Sequence, residues 1–212
     1  MPWHAGSGML IKSAYVAEHG NLMTDYYIGV NMFVYFSTRQ INNEDYKGPD
    51  LFVVKDVDGT RARYFWAAWE EEGRYPDVII ELLSPTTEAN DFGSKRQIYE
   101  RTFQTREYFC IAPQCERMYG WRLHERSYAP IAPDADGRLW SEELGMAIGP
   151  WRGVFVGEEH TWPRLYDAAG GLVLLTEERE RGRADAERGR AERAEAQVAA
   201  LAAKIAELEA RA

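Results

Sequence analysis

The chain has 212 residues, 45% of them hydrophobic and 13% aromatic, enough to bury one substantial core without demanding a second domain. Its formal charge of −9 argues against a surface that grips nucleic acid all over, although a local basic patch or a bound cation leaves that chemistry open. No apolar run is long enough to cross a bilayer and Met1-Pro2-Trp3-His4 lacks the regions of a signal peptide, so a cytoplasmic protein is expected; Cys110 and Cys115 are too few and too close for a disulfide framework or a structural zinc site.

Residues Pro2 to about Glu18 suit an amphipathic helix, followed by a Gly20-Asn21 break. Gly29 to Phe36 is rich in aromatic and β-branched residues and predicts a first strand, and Asn42 to Lys47 predicts a loop. Gly48-Pro49 then opens a second strand, Asp50 to Val54. Arg61 to Arg74, with Trp66, Trp69 and Glu70-Glu71-Glu72, suits a short helix or excursion ahead of a third strand, Pro76 to Leu83. Ser84-Pro85-Thr86-Thr87 cannot continue a central strand, and Asp91 is a fair N-cap for a helix from about Phe92 to Phe103. Further strands are expected at Glu107–Ile111, Arg117–Leu123 and around Ser127–Ile131, giving an α/β core with a mixed sheet.

From Glu177 the composition turns to Arg, Glu and Ala, with nine acidic and eight basic residues, and reads as one long helix through Leu208. Val198, Leu201, Ile205 and Leu208 alternate spacings of three and four, with Ala191 and Ala194 extending the register upstream, so a coiled-coil seam that dimerises the chain is expected, against a solvated single helix. The division expected is a globular domain over 1–175 and a coiled coil over 176–212.

Glu81 is the residue that most constrains function. It lies in Val78-Ile79-Ile80-Glu81-Leu82-Leu83, a buried-strand pattern in which an ionised carboxylate needs a metal, a cation or several donors. Alternation puts Asp77, Ile79, Glu81 and Leu83 on one face. Asp50 opens the neighbouring strand, and Lys95 and Tyr99 share a face of the helix that follows. Clustered carboxylates suit a hard cation such as Mg²⁺ or Mn²⁺, and with a lysine beside them this is the pattern of metal-dependent phosphodiester hydrolysis.

The ordered motifs Gly48-Pro49-Asp50-Leu51-Phe52-Val53-Val54, Pro76-Asp77-Val78-Ile79-Ile80-Glu81-Leu82-Leu83-Ser84-Pro85-Thr86-Thr87, Asp91-Phe92-Gly93-Ser94-Lys95-Arg96-Gln97-Ile98-Tyr99 and Arg106-Glu107-Tyr108-Phe109 resemble the Uma-two family of restriction-endonuclease-like proteins. The resemblance covers roughly Trp3 to Leu175 and implies a restriction-endonuclease-like mixed β-sheet flanked by helices, with a divalent-metal nuclease site acting on DNA. On that resemblance Asp50 matches the first acidic ligand and Glu81 the second, and Lys95 looks like a lysine moved to the following helix, since Leu83 occupies the position two residues after Glu81. Tyr99 would brace Lys95, and Asp77 is either a further ligand or a strand-entry turn. The acidic, glycine-containing segment that members commonly carry before a helix with a His near its start is expected to be missing, the chain beginning almost at Trp3-His4.

Each residue has a plainer reading. Asp50 and Asp77 each follow a proline and suit turns; Glu81 suits a buried ion pair with Lys95 or Arg96; Tyr99 and the tryptophans suit the core; His4, a base or ligand on one reading, suits a cap on the other. The competing function is a catalytically silent nucleic-acid-binding or assembly module that keeps the nuclease fold and joins a partner through its tail.

Overall fold

In the computed structural model, which describes residues 2–37 and 46–211, the chain divides into two compact units, Met1–Val173 and Leu174–Ala212. In chain order the strands of the first are β1 Tyr26–Val30, β2 Val34–Tyr35, β3 Tyr46–Lys47, β4 Leu51–Lys55, β5 Trp66–Ala67, β6 Val78–Leu82, β7 Glu107–Ile111, β8 Met118–His124, β9 Ser127–Pro130, β10 Leu139–Ser141, β11 Met146–Phe155 and β12 Glu158–Tyr166. Six of them form the main sheet in the order β1-β4-β6-β7-β8-β9. Its β6–β7 pair is parallel and its other pairs are antiparallel, because a helical crossover returns the chain between β6 and β7. This is the α/β, restriction-endonuclease-like architecture with a mixed sheet that the motifs implied.

The core explains the crossover. Ile79 and Leu83 of the β6 segment pack in one cluster with Tyr99 and Phe103 from the crossover and with Tyr108 and Cys110 from β7. Glu81 lies between Ile79 and Leu83 on the same face, so strand alternation delivers its carboxylate under the helix. On the N-terminal side, the helix Pro2–His19 is anchored where the Trp3 indole N–H donates to the Thr161 carbonyl at 2.9 Å.

Several boundaries differ from the sequence expectation. The strand expected over Gly29–Phe36 is two strands, because Asn31 takes a left-handed φ of 50° and ends β1. Of the loop expected at Asn42–Lys47, residues 42–45 lie outside the described residues and Tyr46–Lys47 form β3. The Arg61–Arg74 excursion holds β5 and a short 3₁₀ turn, Ala68–Glu70, closed by the Glu71 N–H donating to the Ala68 carbonyl, while the Glu71 carboxylate accepts from Arg63.

Asp91 is not an N-cap. Helical structure already begins at Glu88, after a turn in which the Glu88 N–H donates to the Ser84 carbonyl at 2.9 Å, and continues through Phe103 with a kink at Gly93. A further sheet, β10-β11-β12, was not anticipated; its long hairpin closes at Val156-Gly157, where both residues have positive φ and make a two-residue turn.

The second unit is a single helix, Thr176–Glu209, of 34 residues, about 51 Å long at 1.5 Å per residue. Its first turn is closed by the Glu178 carboxylate accepting from the Leu175 N–H at 2.8 Å. No helix among the described residues is long and apolar enough to cross a membrane.

Candidate functional site

The pairing of β4 with β6 assembles the site. Leu51 lies opposite Ile80 and Phe52 opposite Ile79, so the next step of that register sets Asp50 opposite Glu81. Asp50 is fixed by its backbone as well as its side chain: its Oδ2 accepts from the Leu82 N–H at 2.8 Å, while its own N–H approaches Glu81 Oε2 at 3.4 Å.

From the helix side, Tyr99 donates its hydroxyl proton to Glu81 Oε1 at 2.8 Å, and Lys95 Nζ lies 3.0 Å from the same oxygen. Lys95 Nζ also lies 2.9 Å from Asp91 Oδ1, one helical turn earlier. Tyr99 therefore braces Glu81 rather than Lys95. The bracing of the lysine falls to Asp91, which sequence reasoning took for a cap; its spacing of four from Lys95 was the signal that could have found it.

The electrostatics follow from burial and from the sign of the neighbours. Glu81 is 1% exposed, and desolvation pushes its carboxyl up to about 8; Lys95 opposes that rise, whereas Asp50 and Asp91 add to it. Burial alone would lower the Lys95 ammonium, but Glu81 and Asp91 outweigh it and hold the lysine above its ordinary value. The Tyr99 phenol is pushed far up by burial and by Glu81, so it remains a proton donor.

Lys95 thus contacts two buried carboxylates, Glu81 and Asp91, while Asp50 adds negative charge beside Glu81, so full ionisation leaves an excess of negative charge that burial makes costly. A divalent cation would offset that charge. The oxygens least engaged, Glu81 Oε2 and Asp50 Oδ1, belong to adjacent strands, and Asp50 remains 24% exposed, giving the pair a route to solvent. Among the described residues, no group of three or more His, Cys, Asp and Glu side chains is already arranged as a cation cage.

The structure sorts the remaining candidates. Asp77 sits four residues before Glu81 on an extended strand, about 13 Å away along its axis, too far to share a cation with it. Its carboxylate accepts from the Lys55 N–H at 2.8 Å and pairs with Arg106 at 3.5 Å, so its contacts are those of a strand-entry strut. His4 Nδ1 lies 3.8 Å from Asp50 Oδ1, with Nε2 3.4 Å from the Leu83 carbonyl oxygen, which places the imidazole at the rim of the site rather than at a helix cap. Trp66 and Trp162 are buried in the core. Cys110 and Cys115 are free thiols that burial pushes up, Cys115 to about 12, so neither is an activated nucleophile.

A family model described as "Putative restriction endonuclease", Uma2, matches residues 12–154. The chain belongs to the Uma2 family. The Uma2 match encloses Asp50, Glu81, Asp91, Lys95 and Tyr99, while His4 and the C-terminal helix lie outside it. The chain is also similar to an uncharacterized protein of Synechocystis sp., 29% identical over 72 residues, a stretch that covers 34% of this chain and 34% of that relative.

Proposed function

We propose that this Uma2 protein is a divalent-cation-dependent endonuclease that hydrolyses phosphodiester bonds of DNA. The observation that carries the reading is the juxtaposition of buried Glu81 with Asp50 and Lys95 beneath the helix, a negatively charged group with one cation and a solvent-reachable edge. Asp50 and Glu81 would hold Mg²⁺ or Mn²⁺; when bound, the ion would supply a lowered water pKa and a counter-charge for the scissile phosphate.

The chain's own residues set the rest. Tyr99 fixes Glu81 through Oε1, leaving Oε2 turned toward Asp50. Asp91 holds Lys95 beside Glu81, where its ammonium would stabilise charge that accumulates on the phosphoryl oxygens in the transition state. His4 at the rim is suited to carry a proton between the site and solvent, because its ring faces Asp50. The acidic balance of the chain fits DNA approach only at a local site, so affinity would depend on the cation. The exposed apolar stripe on the C-terminal helix supports a homodimer, which would bring two sites to one duplex.

The test is cleavage of supercoiled plasmid and of single-stranded DNA with Mg²⁺ or Mn²⁺. The wild type is expected to cut only with cation, and Glu81→Ala and Lys95→Ala to lose at least about a hundredfold in rate. A wild type that neither cuts nor binds cation would instead favour the silent assembly module.

A further inference from the structure

On the C-terminal helix, Val198, Leu201, Ile205 and Leu208 are 54–67% exposed in the single chain. Their spacing assigns Val198 and Ile205 to the a positions of a heptad, and Leu201 and Leu208 to the d positions. Branched residues at a with leucine at d form the combination that packs as a two-stranded parallel coil rather than a trimer or tetramer.

The flanking charges make the same choice independently. In this register Arg190 and Lys204 occupy g positions, and Glu195 and Glu209 occupy the e positions five residues later. In a parallel pair each g residue faces the e residue of the following heptad on the other copy, so both couples are attractive. In an antiparallel pair g faces g and e faces e, which sets base against base and acid against acid. Upstream the pattern stops, because Glu187 falls at d and Arg183 would face Arg188.

Given the dimer proposed above, we infer that two copies of this chain pair in parallel and in register over residues 190–209, through the Val198-Leu201-Ile205-Leu208 seam and the Arg190–Glu195 and Lys204–Glu209 couples. The partner this helix face fits is a second copy of itself. Parallel pairing puts both Thr176 ends at the same end of the coil.

The experiment is sedimentation equilibrium of the full chain at low ionic strength. Reversing the g positions (Arg190→Glu with Lys204→Glu) is expected to weaken the dimer about a hundredfold, and adding Glu195→Lys with Glu209→Lys in the same chain to restore it. An antiparallel dimer would be indifferent to the first change, because like charges would still face each other.

Orientation is read separately by oxidising a Leu208→Cys, Cys115→Ser chain, expected to cross-link to itself as a parallel d position does. A wild-type dimer with no response to g reversal, or with no cross-link, overturns the parallel register while leaving the dimer in place. A wild type that stays monomeric overturns the dimer as well; plasmid cutting reports on the nuclease site in either case.

Discussion

Two buried glutamates stand on neighbouring parallel strands of the same sheet, and their surroundings differ in kind. Glu107 on β7 accepts from Arg122 Nε at 2.8 Å, the Glu142 N–H at 3.0 Å, the Glu143 N–H at 3.3 Å and the Ser141 hydroxyl, so donors from β8 and from the β10 region satisfy both of its oxygens. Glu81 on β6 has one phenol, one ammonium and a long backbone contact, and its other neighbours are the carboxylates of Asp50 and Asp91. Burial is the same in both; what differs is whether the neighbours give protons or repel charge. A buried carboxylate surrounded by donors ties elements together, whereas one facing other carboxylates is poised for an added cation.

The largest effect expected from this contrast is on Glu107. Glu107→Ala should lower stability by about 3 kcal/mol, with or without divalent cation, because it removes the acceptor of Arg122 Nε, of the Ser141 hydroxyl and of two backbone N–H groups. Urea unfolding with and without Mn²⁺ measures it, and a loss that Mn²⁺ repairs would erase the distinction between the two glutamates.

Glu81 should behave in the opposite sense. Its folded value of about 8 lies above its ordinary 4.5, so between those values the folded chain holds a proton that the unfolded chain has released. Without cation, stability therefore falls as pH rises from about 4.5 to about 8, at no more than ~1.4 kcal/mol per pH unit. Glu81→Gln should flatten that slope, and divalent cation should stabilise the wild type more at pH 8 than at pH 5. Thermal unfolding across this range would break the comparison if the glutamine chain retained the wild-type slope.

A smaller effect is expected at Tyr99. Tyr99→Phe removes one donor from Glu81 Oε1 and should cost about 1 kcal/mol in stability while lowering cleavage several-fold. Smallest of all, Asp77→Asn should leave the cation response intact, because the contacts of Asp77 go to Lys55 and Arg106. A lost cation response in that variant would mean that Asp77 belongs to the site after all.

Alternation and turn residues made the centre of the sheet legible. The strand read at Glu107–Ile111 is β7, and those read from Asp50, Pro76, Arg117 and Ser127 are displaced from β4, β6, β8 and β9 by only a residue or two. The same alternation put Glu81 under the helix, where Lys95 and Tyr99 meet it. What stayed hidden depended on partners distant in sequence. Gly149, Pro150 and Gly153 mask β11 in the sequence, yet its pairing with β12 supplies what propensity does not. Asp77 shares a face with Glu81 but not a location, since a face is a period of two whereas a site is a distance. Asp91 looked like a cap because the true start of the helix, in the Ser84–Thr87 turn, lies upstream of it.

The most direct measurement is a calorimetric titration of Mn²⁺ into the wild type and into Glu81→Gln near pH 7, repeated in two buffers of different ionisation enthalpy. If the Asp50–Glu81 pair takes the cation, the wild type should bind Mn²⁺ and release about one proton as Glu81 ionises, and Glu81→Gln should lose both the binding and the release. Equal binding by the two chains, or none by the wild type, would contradict the assignment of Glu81 as a cation ligand.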